Sequence, residues 1–155
     1  MSVDWTNSDG LEVRFTGPEA EQSGAGVATM GATKELIVDF NFATAITAAA
    51  WSHEAFVPAG SYIKKATLIV TTAMAGTSGT LTIGLAQKDG TVIDADGIDA
   101  TIAQADLDTN EVVLCNGALA GGTLSIGSAN GYVYTTLGGT VTAGRGRLVI
   151  EYIEV

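Results

Sequence analysis

Short runs that alternate apolar and polar residues, each cut off by glycine, recur along most of this chain. In "KELIVDFNF" (34–42), Leu36, Val38, Phe40 and Phe42 fall on one side, with Glu35, Asp39 and Asn41 on the other. "SGTLTIGLAQ" (78–87) repeats the pattern with Leu81, Ile83 and Leu85. "GYVYTTLGG" (131–139) and "GRLVIEYIEV" (146–155) carry it through Tyr132 and Tyr134, then Leu148, Ile150 and Tyr152. A period of two sends successive side chains to opposite faces of a strand. Twenty glycines against two prolines supply the punctuation. Such a sequence predicts an all-β fold: a two-sheet antiparallel sandwich of jelly-roll type with about eight strands. With 155 residues, the chain can bury its own core without a disulfide or metal staple.

Two regions depart from the pattern. Residues 1–33 read as an extended N-terminal arm with one edge strand, "LEVRFTG", in which Leu11, Val13 and Phe15 share a face. "PEAEQSGAGVATMGAT" follows without any period, and the sandwich domain spans 34–155. Trp5, a bulky aromatic in a polar terminus, suggests docking onto a partner. In "IDATIAQADL" (98–107), Ile98 and Ile102, like Ala103 and Leu107, are four apart. That spacing predicts a short helix near 98–107, capped by Asp96 or Asp99. "PAG" (58–60), "AGTSG" (75–79) and Asp89-Gly90 are expected to be turns, and "GTLSIG" (122–127) a strand. The last strand also carries Val149, Ile153 and Val155 on the face opposite its core side. A strand apolar on both sides is covered on both faces or by a partner chain, so these three are assigned to an oligomer interface.

Charge and residue chemistry exclude several functions. A net charge of −10, with scattered basic residues, argues against nucleic-acid binding. The longest mostly apolar run, "FATAITAAAW" (42–51), falls well short of the ~20 residues a membrane helix needs. "MSVDWTNSDG" does not read as a signal peptide, so the product is expected to stay in the producing cell or leave with a particle. His53 is the only histidine, and its neighbours Ser52 and Glu54 would point away from it on a strand. Cys115 follows Val112, Val113 and Leu114 and reads as a buried, inert thiol. No glycine cluster sits in a phosphate-binding context.

The acidic stretch "DGTVIDADGIDATIAQADLD" (89–108) opens like a calcium loop. Counted from Asp94, however, Gly97 falls at position 4 rather than 6, and position 12 is Ala105. The expected reading is a solvated acidic turn; a non-template calcium site from Asp94, Asp96 and Asp99 stays open. No catalytic, cofactor-binding or metal-ligating residue is assigned, and the chain is expected not to be an enzyme.

"FVPAGSYIKKATLIVTTAMAGTSGTLTIGLAQKDGTVID", with "IDADGIDATIAQADL" and "AGRGRLVIEYI", resembles small virion proteins of tailed bacteriophages over roughly residues 55–155. The shared features are the "PAG" turn into a long strand, the small Gly/Thr turn, and the "GTLTIG" strand with its Asp-Gly-Thr turn. The resemblance implies a β-sandwich head decoration (cement) protein, often a homotrimer. It would bind the major capsid protein on the capsid surface of a virion assembled in the host cytoplasm. Contacts with the shell are expected from Trp5, Leu11, Val13 and Phe15. A tail or fibre module that binds a host receptor or glycan, with Tyr132 and Tyr134 as its platform, is the alternative.

Overall fold

The computed structural model describes residues 3–6, 12–15, 33–47 and 55–155. The chain divides into two compact units, residues 1–32 and 33–155. In the first, β1 (Val3–Thr6) and β2 (Glu12–Phe15) pair antiparallel, with Trp5 opposite Val13 and Val3 opposite Phe15. Leu11, His53 and Trp51 lie outside the described residues.

The second unit is an all-β, sandwich-like fold built on two long strands. β5 (Tyr62–Ala86) and β8 (Gly131–Ile153) run antiparallel along almost their whole length, from Tyr62 opposite Ile153 to Ala86 opposite Tyr132. The shorter strands flank this pair. β3 (Lys34–Asn41) joins the C-terminal half of β8, and β7 (Val112–Leu114) joins the N-terminal half of β5. At the other end, β4 (Phe56–Val57) pairs with β8 and β6 (Val92–Ala103) with β5. One end is therefore a four-stranded layer in the order β3-β8-β5-β7, and the other is β4-β8-β5-β6.

The two halves contribute inward side chains to one core. Leu36, Ile63, Leu68, Leu148 and Ile150 come from the first layer, and Leu81, Ile83, Leu85 and Ile98 from the second. Phe42, fully buried, sits where β3 ends. Its N–H donates to Gly144 O at 2.9 Å, and its ring packs on the backbone of β8 at Gly144 and Gly146. The inward residues are those the alternation picked out in β3 and in the C-terminal halves of β5 and β8; in the N-terminal half of β8 the core takes Val133 and Leu137 rather than Tyr132 and Tyr134.

Three local expectations are corrected. "AGTSG" (75–79) is not a hairpin turn: β5 runs through it, and register shifts against β8 cluster between Val70 and Thr80. Bulges bend and twist a strand without ending it. Gly76, at φ 149, permits this passage, because a Cβ there would collide with the carbonyl of Thr140 across the ladder. Second, there is no helix over 98–107: residues 98–103 belong to β6, and only Gln104–Asp106 make a 3₁₀ turn. That turn has no side-chain cap, and Gln104 instead accepts from Gly79 N–H through Oε1 at 3.1 Å. Third, "GTLSIG" (122–127) is irregular apart from a single bridge between Ser125 and Tyr62.

Candidate interaction surfaces

The four-stranded layer has an outer face that nothing among the described residues covers. Cross-strand register arranges its outward side chains in rows. Ile37, Val149, Thr67 and Leu114 form one row across β3, β8, β5 and β7. Asp39, Arg147, Ile69 and Val112 form the next, and Glu35, Glu151 and Lys65 lie on the opposite side of the apolar row. Ile37 is 51% exposed, Val112 62% and Leu114 63%, values unusual for large aliphatic side chains gathered on one face.

Arg147 clamps Asp39 with two hydrogen bonds, Nε to Oδ1 at 2.7 Å and Nη2 to Oδ2 at 2.9 Å. The guanidinium holds the Asp39 carboxyl below its ordinary range. Beside this pair, a shallow depression of about 470 Å³ is lined by Asp39, Asn41, Thr71, Arg145 and Arg147, among others. The pair fixes the margin of the face.

Of the residues assigned to an oligomer interface, Val149 and Ile153 are half-buried in the outward series of β8, and Val155 lies beyond the strand, 94% exposed. Ile37, Ile69, Val112 and Leu114 were not assigned. Their signal was present: "LIV" in β3 and "VVL" in β7 are apolar on both faces, as the last strand is.

The acidic stretch has a structural explanation. Between the Ile83–Asp99 and Leu85–Asp94 pairs, β6 carries extra residues and bulges outward. The bulge lies against Gly84, where any Cβ would strike the backbone of Asp94 and Ala95. From the other side, Gly117 N–H donates to Ile98 O and Leu119 N–H to Gly97 O, both at 2.8 Å. Asp99, 4% exposed, accepts from Thr101 N–H at 3.2 Å and from Asn116 N–H at 3.3 Å, one on each carboxylate oxygen. Asp99 therefore pins backbone on both sides of it. Among the described residues, no three carboxylate, histidine or cysteine groups are gathered to hold a metal ion.

Asp94 accepts from Asp96 N–H at 3.3 Å, and desolvation followed by the neighbouring Asp96 carboxyl pushes its own carboxyl above the ordinary range. An acid whose pKa is raised on folding holds more protons in the folded state. Stability then falls as pH rises from the unfolded value through the folded one. Asp94→Asn keeps the accepting oxygen and removes the charge. Its expected effect is a rise in Tm of roughly 1–2 °C at pH 7, small because the group is largely solvated. The gain should vanish below the carboxylate range. Thermal melts at pH 7 and pH 3 check this, and a gain that persists at pH 3 would refute it.

Cys115 is buried, and its thiol is pushed up to about 12 by desolvation and by the Asp99 charge. It is not an activated nucleophile. Tyr132 is 5% exposed and packs on Phe56 with ring centroids 5.4 Å apart, so it does not offer a flat platform beside Tyr134.

Comparison with solved structures relates this architecture to one setting. A chain in the capsid asymmetric unit of cyanophage Pam1 matches with a TM-score of 0.56 over 97% of this chain and 98% of its own length, at 16% identity. The fold is one found in phage capsids. A chain of the acid-stable capsid of Helicobacter pylori bacteriophage KHP30 matches at 0.55, over 80% of this chain and 89% of that one, with 15% identity. One from the capsid of Ralstonia phage GP4 matches at 0.54, over 81% and 84%, also with 15% identity. At these identities, the capsid likeness is one of fold. No protein-family model matches the sequence, and no curated protein does.

Proposed function

We propose that this chain is a structural, non-enzymatic component of a phage virion: a decoration (cement) protein on the outside of the capsid. It would act by binding across neighbouring major capsid subunits. A ligand that binds only the assembled shell stabilises that state by ordinary linkage. The observation that carries the reading is the match to a Pam1 capsid chain along nearly the full length of both chains. The β1–β2 ladder supports the expected role for Trp5, Val13 and Phe15. By register alone, positions 3, 5, 13 and 15 follow one another on one side of the ladder. Leu11 belongs to the same proposed contact. A homotrimer is the assembly that the resemblance implies, and Val149, Ile153 and Val155, on the second apolar face of the last strand, are its proposed contacts.

The test is stoichiometry in purified particles of the phage that encodes the chain. A decoration protein is expected in numbers comparable with the shell subunits, and to be released before the shell dissociates on mild denaturation. A copy number matching the tail would overturn the decoration role and favour the tail or fibre alternative.

A further inference from the structure

β3 ends its layer, and among the described residues no strand pairs with its outer edge. We propose that this edge pairs antiparallel with the same edge of a second copy, joining two sheets across a two-fold axis. The backbone is oriented for it. Phe42 N–H donates to Gly144 O, so alternation turns Phe40, Val38 and Leu36 towards β8 as well. The N–H and C=O groups of Glu35, Ile37 and Asp39 therefore point to the open edge, and among the described residues no hydrogen bond reaches them. Native edges are commonly blunted by a bulge or a proline. β3 has neither, and keeps one register with β8 over all eight residues. The core also stops short here: Val38 and Phe40 pack against it but are only half-buried. A strand added at this edge covers both.

Charge selects the partner and the register. Lys34 is held by Glu154 at 2.8 Å and Asp39 by Arg147 at 2.7 Å. Glu35 has no ion pair among the described residues and stands opposite Glu151, a like-charge neighbour. Arg145 is the converse: its guanidinium has no carboxylate partner among the described residues, and it lines the depression of about 470 Å³ with Asn41 and Arg147. With Val38 on the two-fold axis, Glu35 faces Asn41 of the second copy, and Arg145 of that copy is on the next strand. The Cα atoms of Glu35 and that arginine are then ~10 Å apart, a span two extended side chains close. The carboxylate enters the depression. On the inner side, Leu36 faces Phe40 of the second copy, and the two Val38 side chains face each other. Ile37 lies beside the Asp39–Arg147 pair of the second copy. That side stays in water, so no charge is desolvated, and the stem of Arg147 gives Ile37 an apolar neighbour. Centring on Ile37 instead would set Glu35 against Asp39 and Lys34 against Phe40, which disfavours that register. Little apolar area is buried, so the pair forms reversibly. Each contact occurs twice, as an isologous pair requires, whereas a three-fold ring needs two unlike patches on each copy. The pair takes the place of the homotrimer in solution and does not depend on attachment to a shell.

Sedimentation velocity of the full chain over a concentration series is expected to give a monomer–dimer equilibrium. Amide exchange followed by NMR locates the contact. The amides of Glu35, Ile37 and Asp39 should gain protection as the dimer forms, whereas those of Leu36, Val38 and Phe40 should be protected throughout. Ile37→Pro removes an edge N–H without touching a bond to β8, and is expected to weaken the dimer at least ~10-fold. Glu35→Arg and Arg145→Glu should each weaken it at least ~3-fold, and the double variant Glu35→Arg/Arg145→Glu should recover most of the loss. Within one chain, Glu35 is six residues along β3 (35 to 41) from the residue paired with Arg145, ~20 Å, so recovery cannot arise within a monomer. Unchanged circular dichroism and Tm establish that the variants are folded; if Ile37→Pro is not, the charge exchange decides alone. A monomer at every concentration, a trimer, a dimer whose Ile37 and Asp39 amides exchange freely, or a double variant as weak as the singles would overturn the proposal. A dimer with these properties that fails to bind particles leaves the pair intact and removes the decoration role.

Discussion

Phe42→Ala is expected to destabilise the fold by about 3–5 kcal/mol, the range for emptying a buried phenylalanine site. Phe42 is fully buried and lies edge-on to Phe40, with centroids 5.4 Å apart and rings at 68°. The site cannot collapse cheaply, because its floor is the backbone of β8 at Gly144 and Gly146. No side chain there can swing in to fill the space. Phe42→Leu retains most of the volume and is expected to lose less than half as much. Chemical denaturation monitored by circular dichroism measures both, with the midpoint shifting and the slope unchanged. A loss below about 1 kcal/mol for alanine would show that the site relaxes and that this account of the packing is wrong.

Gly84→Val should be the more disruptive of two glycine changes. The Cβ of any residue at 84 enters the space of the Asp94 carbonyl and the Ala95 backbone. Backbone cannot rotate away as a side-chain tip can, so the β6 bulge has to detach or β5 has to bend. Overpacking of this kind costs about 1–3 kcal/mol and sometimes more. Because the bulge also holds the Asp99 and Gly117 contacts, the upper end is expected. Gly121→Ala is the internal control, since a Cβ there meets nothing within 4 Å. Comparable Tm losses for the two variants would contradict the close contact at Gly84.

The core was legible because a period of two is unambiguous when one face is buried. Leu36 and Val38, Leu81 to Leu85, and Leu148 to Tyr152 all point inward as their alternation required. The expected helix failed for a specific reason. Residues four apart share a face on a helix, and they also share one on a strand, since four is twice two. Ile98 and Ile102 satisfy both, and pairing of Leu81 with Ile102 decides for the strand. Glycine was ambiguous in the same way. The left-handed backbone that ends a strand in a hairpin also lets one strand pass a bend, and only the distant partner β8 shows which occurs at Gly76. The outer face was hardest to read. Whether Ile37 or Leu114 is covered depends on β3 and β7 flanking strands far away in sequence, which no local pattern records.

The shared pair of long strands also orders how this chain can fold. Ala86 and Tyr132 are 46 positions apart (86 to 132), whereas Tyr62 and Ile153 are 91 apart (62 to 153). Closing the shorter loop costs less entropy, and each rung formed there shortens the remaining search by bringing the next two residues together. The ladder should therefore zip from the β6 end towards the β3 end, slowly, as for other folds dominated by non-local pairs. The outer face of the β3 layer is then the last surface to be completed. Unpaired apolar strands are the species most prone to aggregate, and here they persist until the final rungs close.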